Sequence, residues 1–273
     1  MKKNKSLLLS GPYILWMLVF TLIPLCVVGY YALTDPDTGT FTWQNIRDLG
    51  QFLPTLGISV WYSLVSAFIC LLLGYPVAYF IAHRSPTAQK LLYMLVMLPM
   101  CMSFLLRTLA WVGLLETNGI INQFLHLLGL GSLNLIGTSG AVILGMVYNY
   151  LPYMILPLYA VIVKIDGRLI EAAEDLGCTP VKVFSKVVLP LSMPGILSGI
   201  TMVFVPAVST FYISQKLGGT ENMLIGDVIE RQFKSAGNPN LGAALSLVLM
   251  LLVFICTGIM NRFGSDEEGG VVV

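Results

Sequence analysis

Six long apolar runs separated by polar segments dominate the hydropathy pattern of this chain. They lie near residues 7–33, 58–82, 91–115, 139–163, 194–214 and 241–260. Each run can supply the roughly 20 apolar residues that an α-helix needs to cross a bilayer. The pattern therefore predicts an all-α membrane protein with six transmembrane helices, and residues 1–273 are expected to form a single membrane domain.

The amino-acid composition supports this prediction. Apolar residues make up 56% of the chain and charged residues only 11%, which is far from the composition of a soluble domain. The net charge of +1 gives no electrostatic support for binding nucleic acid. Four of the five cysteines lie in predicted spans and the fifth is Cys178, so neither disulfides nor a metal site is expected.

Lysine and arginine residues are unevenly divided between the two sides of the predicted spans. With a cytoplasmic N-terminus, the ten residues on the inner side are Lys2, Lys3, Lys5, Arg84, Lys90, Lys164, Arg168, Lys182, Lys186 and Arg262. The four on the opposite side are Arg47, Lys216, Arg231 and Lys234. The positive-inside rule therefore predicts that both termini and the segment 164–190 are cytoplasmic. The first apolar run is too long for a signal peptide, so we interpret it as a retained span.

The segment 164–190 is rich in charge, and its local signals predict a helix, a turn and a second helix. Asp166 is a candidate N-cap, and Gly177 stands where a left-handed residue would end the first helix. Thr179 and Pro180 are typical of the start of a second helix. The first helix is predicted to have one apolar face, formed by Leu169, Ile170, Ala173 and Leu176.

A short helix with an apolar face in an aqueous loop needs a surface to bind. The lipid surface is one alternative, since basic amphipathic helices commonly lie there. Glu171, Glu174 and Asp175 outnumber the single Arg168, however, which is the wrong sign for an anionic leaflet. The apolar face also lacks the Trp and Phe that interfacial helices favour. Binding to another protein is therefore the preferred interpretation.

The residue spacing in this segment resembles a known family motif. Glu171-Ala172-Ala173, Gly177 and Leu189-Pro190, with Val187 in place of isoleucine, resemble the EAA loop of binding-protein-dependent ABC importer permeases. Other stretches look like the spermidine/putrescine permease branch of that family. They are Leu73-Gly74-Tyr75-Pro76, Pro152-Tyr153-Met154 with Pro157-Leu158-Tyr159, Leu189-Pro190 to Met193-Pro194-Gly195, and Gly218-Gly219 to Leu224-Ile225-Gly226.

The resemblance implies the six-helix MetI-like permease fold of type I importers in a bacterial cytoplasmic membrane. It also implies that the first helix of the loop is a coupling helix that inserts into a groove on a separate ATPase subunit. The implied partners are a second permease subunit forming a heterodimer with this chain, two copies of the ATP-binding subunit, and an extracytoplasmic polyamine-binding protein. The implied coupling residues are Glu171, Ala172, Ala173, Glu174, Asp175, Leu176, Gly177, Leu189 and Pro190.

The chain contains no Gly-x-x-x-x-Gly-Lys-Ser/Thr sequence, so it is not expected to bind ATP through a P-loop. We therefore expect a transport subunit rather than an enzyme. The chain itself would need no cofactor, because ATP and Mg²⁺ would be bound by the partner ATPase.

Candidates for a substrate pathway are aromatic and acidic residues near predicted breaks in the spans. Proline in a membrane helix disrupts its hydrogen-bond ladder, and tolerated breaks tend to line cavities. A flexible polycation, the substrate that the resemblance implies, would favour carboxylates and aromatic faces. The candidates are Trp111, Glu116, Tyr150, Tyr212, Asp227 and Glu230. For Arg107, in the third span, structural pairing or snorkelling and a role near the pathway both remain open.

Three alternative functions have some support in the sequence. A permease of the same family for another solute, such as a different organic cation or ferric iron, is the closest alternative. An ion-coupled secondary transporter would need ionisable residues deep in the spans, and only Arg107 approaches this. Gly137-Thr138-Ser139-Gly140 resembles a rhomboid-type protease motif, but no span carries the required histidine.

Residues 265–273 are expected to form a disordered tail.

Overall fold

The computed structural model describes residues 13, 15–36, 38–129, 131–234 and 237–268. Within these residues the secondary structure is almost entirely helical, and the one β feature is an isolated bridge between Thr34 and Phe41. The predicted all-α class is confirmed. Residues 7–12 and 14 of the predicted first span, and Lys2, Lys3 and Lys5, lie outside the described residues.

The helices are named in chain order. They are α1 (Ile23–Ala32), α2 (Gln44–Asp48), α3 (Leu53–Ala82), α4 (Pro86–Met97), α5 (Phe104–Leu115), α6 (Ile120–Leu127), α7 (Ser139–Ile162), α8 (Gly167–Asp175), α9 (Pro180–Val183), α10 (Leu189–Leu191), α11 (Met193–Val208), α12 (Tyr212–Leu217), α13 (Ile225–Lys234) and α14 (Pro239–Glu268). Two π-type turns, Leu18–Leu22 and Phe184–Val188, and two 3₁₀ turns, Leu49–Phe52 and Leu98–Cys101, adjoin these helices.

Five helical segments among the described residues are long and apolar enough to cross a membrane. They are Leu15–Ala32, Gln44–Ala82, Phe104–Leu127, Ser139–Ile162 and Pro239–Met260. The number becomes six when the pair Pro180–Leu191 and Met193–Val208, which is bent by 64°, counts as one span. The predicted multi-span architecture is therefore confirmed.

The segment predicted as the third span, 91–115, is not one continuous helix. Helix α4 passes into the 3₁₀ turn at Leu98, and Met102 and Ser103 are extended before α5 begins. Pro99 explains the break, because proline has no N–H for the helical ladder and its ring crowds the preceding turn. The segment that meets the length and hydropathy requirements here is Phe104–Leu127, which includes a turn at residues 116–119.

The fifth predicted span, 194–214, is also shorter than expected. Helix α11 ends at Val208, two residues after Pro206, and α12 begins separately at Tyr212. At the other end of the chain, α14 continues to Glu268. Residues 265–268, which were expected to belong to a disordered tail, are thus helical, and residues 269–273 lie outside the described residues.

The chain divides into two compact units. One comprises residues 1–54 and 228–252, and the other comprises residues 55–227 and 253–273. The prediction of a single membrane domain stays a prediction.

In the first unit, asparagine side chains satisfy backbone carbonyls at the end of α1. Asn45 Nδ2 donates hydrogen bonds to the carbonyl oxygens of Ala32 and Thr34, and Asn240 Nδ2 also donates to the Thr34 carbonyl. Carbonyls at a helix C-terminus have no intrahelical donor, so these amides replace the water that would otherwise bind there. A small apolar cluster lies beside them, formed by Ala32, Ala243 and Ala244 with Val28, Leu49 and Leu247.

In the second unit, α7 supplies much of the hydrophobic core. Val142, Met146, Met154 and Leu158 recur on one face of the helix and are completely buried. Helix α11 packs along α7, and the backbones come close at Gly199, where an added Cβ would lie 2.6 Å from the sulfur of Met154. Close packing of this kind holds α7 and α11 together as one rigid pair.

Candidate functional site

Helix α8, which carries the Glu-Ala-Ala motif, is closed at both ends by residues within its own segment. The Asp166 side chain accepts a hydrogen bond from the Arg168 N–H at 3.0 Å, which confirms the predicted N-cap. Gly177 has φ +80°, so it occupies the left-handed conformation predicted for it. The N–H groups of Gly177 and Cys178 bond to the carbonyls of Glu174 and Ala173, which is the Schellman arrangement.

None of the residues of α8 is buried. The apolar face predicted for docking is open, since Leu169 is 48% exposed and Leu176 is 86% exposed. Glu171, Glu174 and Asp175 are exposed as well, and none of them forms an ion pair within the described part of the chain. Ala172 and Gly177 are exposed and Ala173 is half-buried. The helix therefore presents an apolar stripe and three carboxylates that its own chain does not cover.

The second half of the loop is anchored instead of exposed. Val183 and Val188 are almost fully buried, and Leu189 is half-buried while Pro190 is exposed. Thr179 takes the predicted N-cap position of α9 ahead of Pro180, but its side chain makes no capping hydrogen bond. Helix α9 passes through the π-type turn into α10, and Ser192 then marks the 64° bend into α11.

Aromatic side chains link this anchored half to the C-terminal half of α3. The ring of Phe184 meets the ring of Tyr75 edge to face at 5.4 Å and that of Tyr79 at 6.3 Å. The Tyr75 hydroxyl lies 2.8 Å from the hydroxyl of Ser192. Sequence reasoning did not find these contacts, although Tyr75 lies in a stretch that carried the family resemblance.

Two of the predicted pathway residues lie on neighbouring helices. Helix α5, which carries Trp111, packs against α7 and against α12, which begins at Tyr212. The Trp111 ring contacts Tyr148 at 5.4 Å, and the Tyr212 ring lies 6.3 Å from Phe104. Lys216 Nζ stands 5.9 Å from the centre of the Tyr212 ring. The structure thus brings Trp111 and Tyr212 onto one pair of packed helices.

Tyr150 and Arg107 are buried polar residues on the neighbouring helices α7 and α5. The Tyr150 hydroxyl donates a hydrogen bond to the Pro206 carbonyl at 3.3 Å. Arg107 is 6% exposed, and its Nε and Nη1 have no hydrogen-bond partner within the described residues. Snorkelling would leave these atoms accessible, so the position of Arg107 argues against it.

The three acidic pathway candidates occupy different settings. Glu116 is exposed just after α5. Asp227 is 2% exposed, and its carboxylate accepts a hydrogen bond from the N–H of Leu224 at the start of α13. Glu230 belongs to the first unit and forms an ion pair with Lys234 at 2.6 Å. A carboxylate suits the positive end of a helix, so Asp227 has a structural role, and its place in a substrate pathway stays a prediction.

The sequence of this chain is similar to those of known bacterial transport proteins. The family described as binding-protein-dependent transport system inner membrane component matches residues 71–265. The spermidine/putrescine transport system permease protein PotB of Haemophilus influenzae is 39% identical over 255 residues, covering 88% of each protein. PotB of Escherichia coli is 36% identical over 247 residues, covering 87% of this chain and 90% of that protein.

A similar fold occurs in a solved structure. The chain resembles part of a bacterial ABC transporter involved in the import of the acidic polysaccharide alginate, with a TM-score of 0.74 and 17% identity. The similarity covers 97% of this chain and 99% of the other. At this identity the likeness concerns the fold, and it confirms the predicted type I permease architecture.

Proposed function

This chain belongs to the family of binding-protein-dependent transport system inner membrane components, and we propose that it is the permease subunit of an ATP-driven importer for spermidine and putrescine. The observation that carries the proposal is the open surface of α8. Leu176 is 86% exposed, and the carboxylates of Glu171, Glu174 and Asp175 are exposed beside it. An exposed apolar stripe with a charged rim is the usual character of a protein-binding surface.

The partner of α8 is a separate ATPase subunit. The apolar stripe enters a groove on that subunit, and the carboxylates pair with basic groups or cap backbone N–H groups there. Gly177 lets the backbone turn immediately after the helix, so no side chain keeps the two proteins apart. The working assembly contains this chain, a second permease subunit, two ATP-binding subunits and an extracytoplasmic binding protein.

Transport follows from alternating access. ATP binding closes the two ATPase subunits, and α8 transmits their movement to the spans as a rigid element. The spans of this chain and its sister subunit rock from an inward-facing to an outward-facing state, and the binding protein releases its substrate into the cavity. Hydrolysis of ATP then resets the inward state. All bond-breaking chemistry is carried out by the ATPase subunits, which bind ATP and Mg²⁺.

Polyamines as the substrate class are supported by the names of the PotB relatives, together with the residues near α5 and α12. Trp111, Tyr150 and Tyr212 of the second unit provide aromatic faces for ammonium groups, while Glu116 and Asp227 of the same unit provide carboxylates. Uptake in a strain lacking its own polyamine importers, with the complete transport system restored, tests the substrate. Labelled spermidine and putrescine should be taken up and an amino acid should not. Uptake of another organic cation or of ferric iron alone would contradict the polyamine assignment.

Two substitutions in the loop test the coupling. Gly177→Asp places a side chain at φ +80° in the docking surface, and Glu171→Lys reverses a docking charge. In the purified complex we expect substrate-stimulated ATP hydrolysis to fall by about tenfold or more while the subunit still inserts in the membrane. Gly167→Asp is the matched control, because Gly167 is equally open and begins the helix, where an acidic side chain is favourable. Wild-type coupling in both loop variants would refute the proposal.

The cytoplasmic position of the loop has its own test. Cys178 is partly exposed beside Gly177, so a variant that keeps only this cysteine can report its accessibility. A membrane-impermeant maleimide should label it in inverted vesicles and leave it unlabelled in intact spheroplasts. Labelling from the outer surface alone would invert the proposed topology.

A further inference from the structure

Four side chains connect the coupling loop to α3, and we call them the aromatic joint: Tyr75, Tyr79, Phe184 and Ser192. Phe184 presents its ring to Tyr75 with an interplanar angle of 84° and to Tyr79 with an angle of 80°. Edge-to-face pairs at these separations are attractive and depend on orientation. The joint therefore fixes both the distance and the angle between the loop and α3.

A directed hydrogen bond completes the joint. Ser192 Oγ donates to the Leu189 carbonyl at 2.9 Å, which uses its only proton. Tyr75 must therefore be the donor in the 2.8 Å contact between its hydroxyl and Ser192 Oγ. Tyr75 is 8% exposed and Ser192 is fully buried, so water cannot easily replace this bond. The bond joins α3 to the residue at which the loop bends into α11.

Both sides of the joint have weakened helical ladders. On the loop side, Phe184 opens the π-type turn and Pro190 follows it, while Ser192 lies at the 64° bend. On the α3 side, Pro76 follows Tyr75 directly within the helix. Single π turns occur often at functional sites, and proline gives a helix a place to bend. The joint therefore lies where each helix can change direction at low cost.

The burial pattern shows how a movement of α8 would be transmitted through the anchored half of the loop. No residue of α8 is buried, whereas Val183, Val188 and Ser192 are almost fully buried. Beyond Ser192, α11 is packed closely along α7. A force on α8 would therefore reach α11 through the chain itself, and it would reach α3 through Phe184 and Tyr75.

We propose that Tyr75 and Phe184 are positioning residues that make α3 move together with α11 when the ATPase subunit displaces α8. This inference rests on the proposed function and adds a second route for the movement. Without the joint, the loop would still bind the ATPase, but α3 would be coupled to α11 only indirectly, through contacts with α7 such as the one between Ser66 and Met146. The expected defect is a loss of transport for each ATP hydrolysed, with assembly of the complex preserved.

Two conservative substitutions separate the two contacts of the joint. Tyr75→Phe removes only the hydroxyl that bonds to Ser192 and keeps the ring. Phe184→Leu removes the edge-to-face contacts and keeps an apolar side chain at a position that is 37% exposed. Tyr159→Phe is the matched control, since it removes a tyrosine hydroxyl that donates to Gln89 Oε1 at 3.3 Å, between α7 and α4.

The measurement uses the whole complex in proteoliposomes with its binding protein, and it compares polyamine uptake with ATP hydrolysed. In Tyr75→Phe and Phe184→Leu we expect uptake per ATP to fall about three- to tenfold, with the ATPase subunit still bound in wild-type amount. Tyr159→Phe should keep the wild-type ratio. A wild-type ratio in both joint variants would overturn the proposal, and so would an equal loss in the control. If the wild-type chain bound no ATPase subunit, the proposed function itself would fail, which is a distinct outcome.

Ser192→Ala provides a second test of the joint. It distinguishes loss of the hydrogen bond from a purely local packing defect. This variant leaves the buried Tyr75 hydroxyl without its acceptor, which carries a desolvation cost. Adding Tyr75→Phe removes the unpaired hydroxyl, so the double variant should be at least as stable in thermal unfolding as Ser192→Ala alone. Its uptake per ATP should nevertheless stay as low as in Tyr75→Phe. Recovery of the wild-type ratio in the double variant would contradict the role of the hydrogen bond.

Discussion

Helix α8 and a partly buried group of polar contacts in the same unit show two different ways of holding a segment in place. We call the second region the Asn222 network: Ser59, Tyr62, Gly137, Asn222 and Ile225. Helix α8 has no buried residue and is held by its own caps. In the network, the Tyr62 hydroxyl donates to Asn222 Oδ1 at 2.9 Å, and Asn222 Nδ2 donates to the Gly137 carbonyl at 2.7 Å. The Ile225 N–H donates to Ser59 Oγ at 2.8 Å.

The glycines of the two regions show the same difference. Gly177 has φ +80° and open space around it, so glycine is needed there for the backbone turn. Gly226, next to the network, has an ordinary φ, but an added Cβ would lie 2.5 Å from the Thr210 carbonyl oxygen. One glycine is required by local conformation and the other by close tertiary packing. The comparison indicates that α8 is left uncovered by its own chain, whereas the Asn222 network belongs to a rigid frame.

The largest expected effect on stability is that of Gly226→Val. The new side chain would collide with backbone atoms that cannot move aside, so we expect a loss of about 3 kcal/mol or more, and poor yield of folded subunit. Gly258→Val is the matched control, because Gly258 is also helical and has no atom within 4 Å of an added Cβ. Thermal unfolding of the purified complex in detergent measures both. Equal stability of the two variants would contradict the rigid-frame description.

A smaller loss is expected from Asn222→Ala. The substitution removes the acceptor of Tyr62 and the donor to Gly137, and we expect about 1 kcal/mol of destabilisation, because the groups left unpaired are only half-buried. Asn118→Ala is the control, since Asn118 is exposed in the turn after α5. Denaturant titration of the subunit gives the difference. If Asn222→Ala matched the control, the network would add nothing to the frame.

The smallest effect on stability is expected in α8. Leu176→Ser changes a side chain that is 86% exposed, so the free subunit should keep its stability within about 0.5 kcal/mol. Its binding to the ATPase subunit should nevertheless weaken, because the apolar stripe is interrupted. Val183→Ser, at a position that is 4% exposed, should destabilise the subunit measurably. Pull-down of the ATPase subunit with each variant separates binding from folding, and unchanged binding by Leu176→Ser would contradict docking through this face.

Sequence reasoning succeeded where short-range interactions decide the structure. The ends of α8 were predicted from Asp166 and Gly177, and both residues make the expected caps. The span 139–163 was predicted almost to its boundaries, because α7 begins after a Thr138 cap whose side chain accepts from Ala141. Hydropathy was a poorer guide at Pro99 and after Pro206, where an apolar run continues although the helix does not. A hydropathy window counts apolar residues and is insensitive to a missing backbone N–H.

The predicted pathway residues show the limit of sequence reasoning. Trp111 and Tyr212 could be proposed from chemistry, but their placement on packed helices depends on how α5, α7 and α12 meet. Asp227 could not be recognised as a buried group that accepts from the Leu224 N–H. Phe184 was part of an apolar stretch with no sign of its contact with Tyr75, which is far away in the chain.

The sequence by itself determined the membrane-spanning class, the family motif and the self-capped helix that carries it, because hydropathy and capping act between residues close in the chain. Only the tertiary structure decided that α8 is left uncovered and that Tyr75 meets Phe184 and Ser192. These features depend on contacts between distant segments, and such contacts form only when several helices pack at once. The physical reason is that burial and side-chain orientation are properties of the packed chain as a whole.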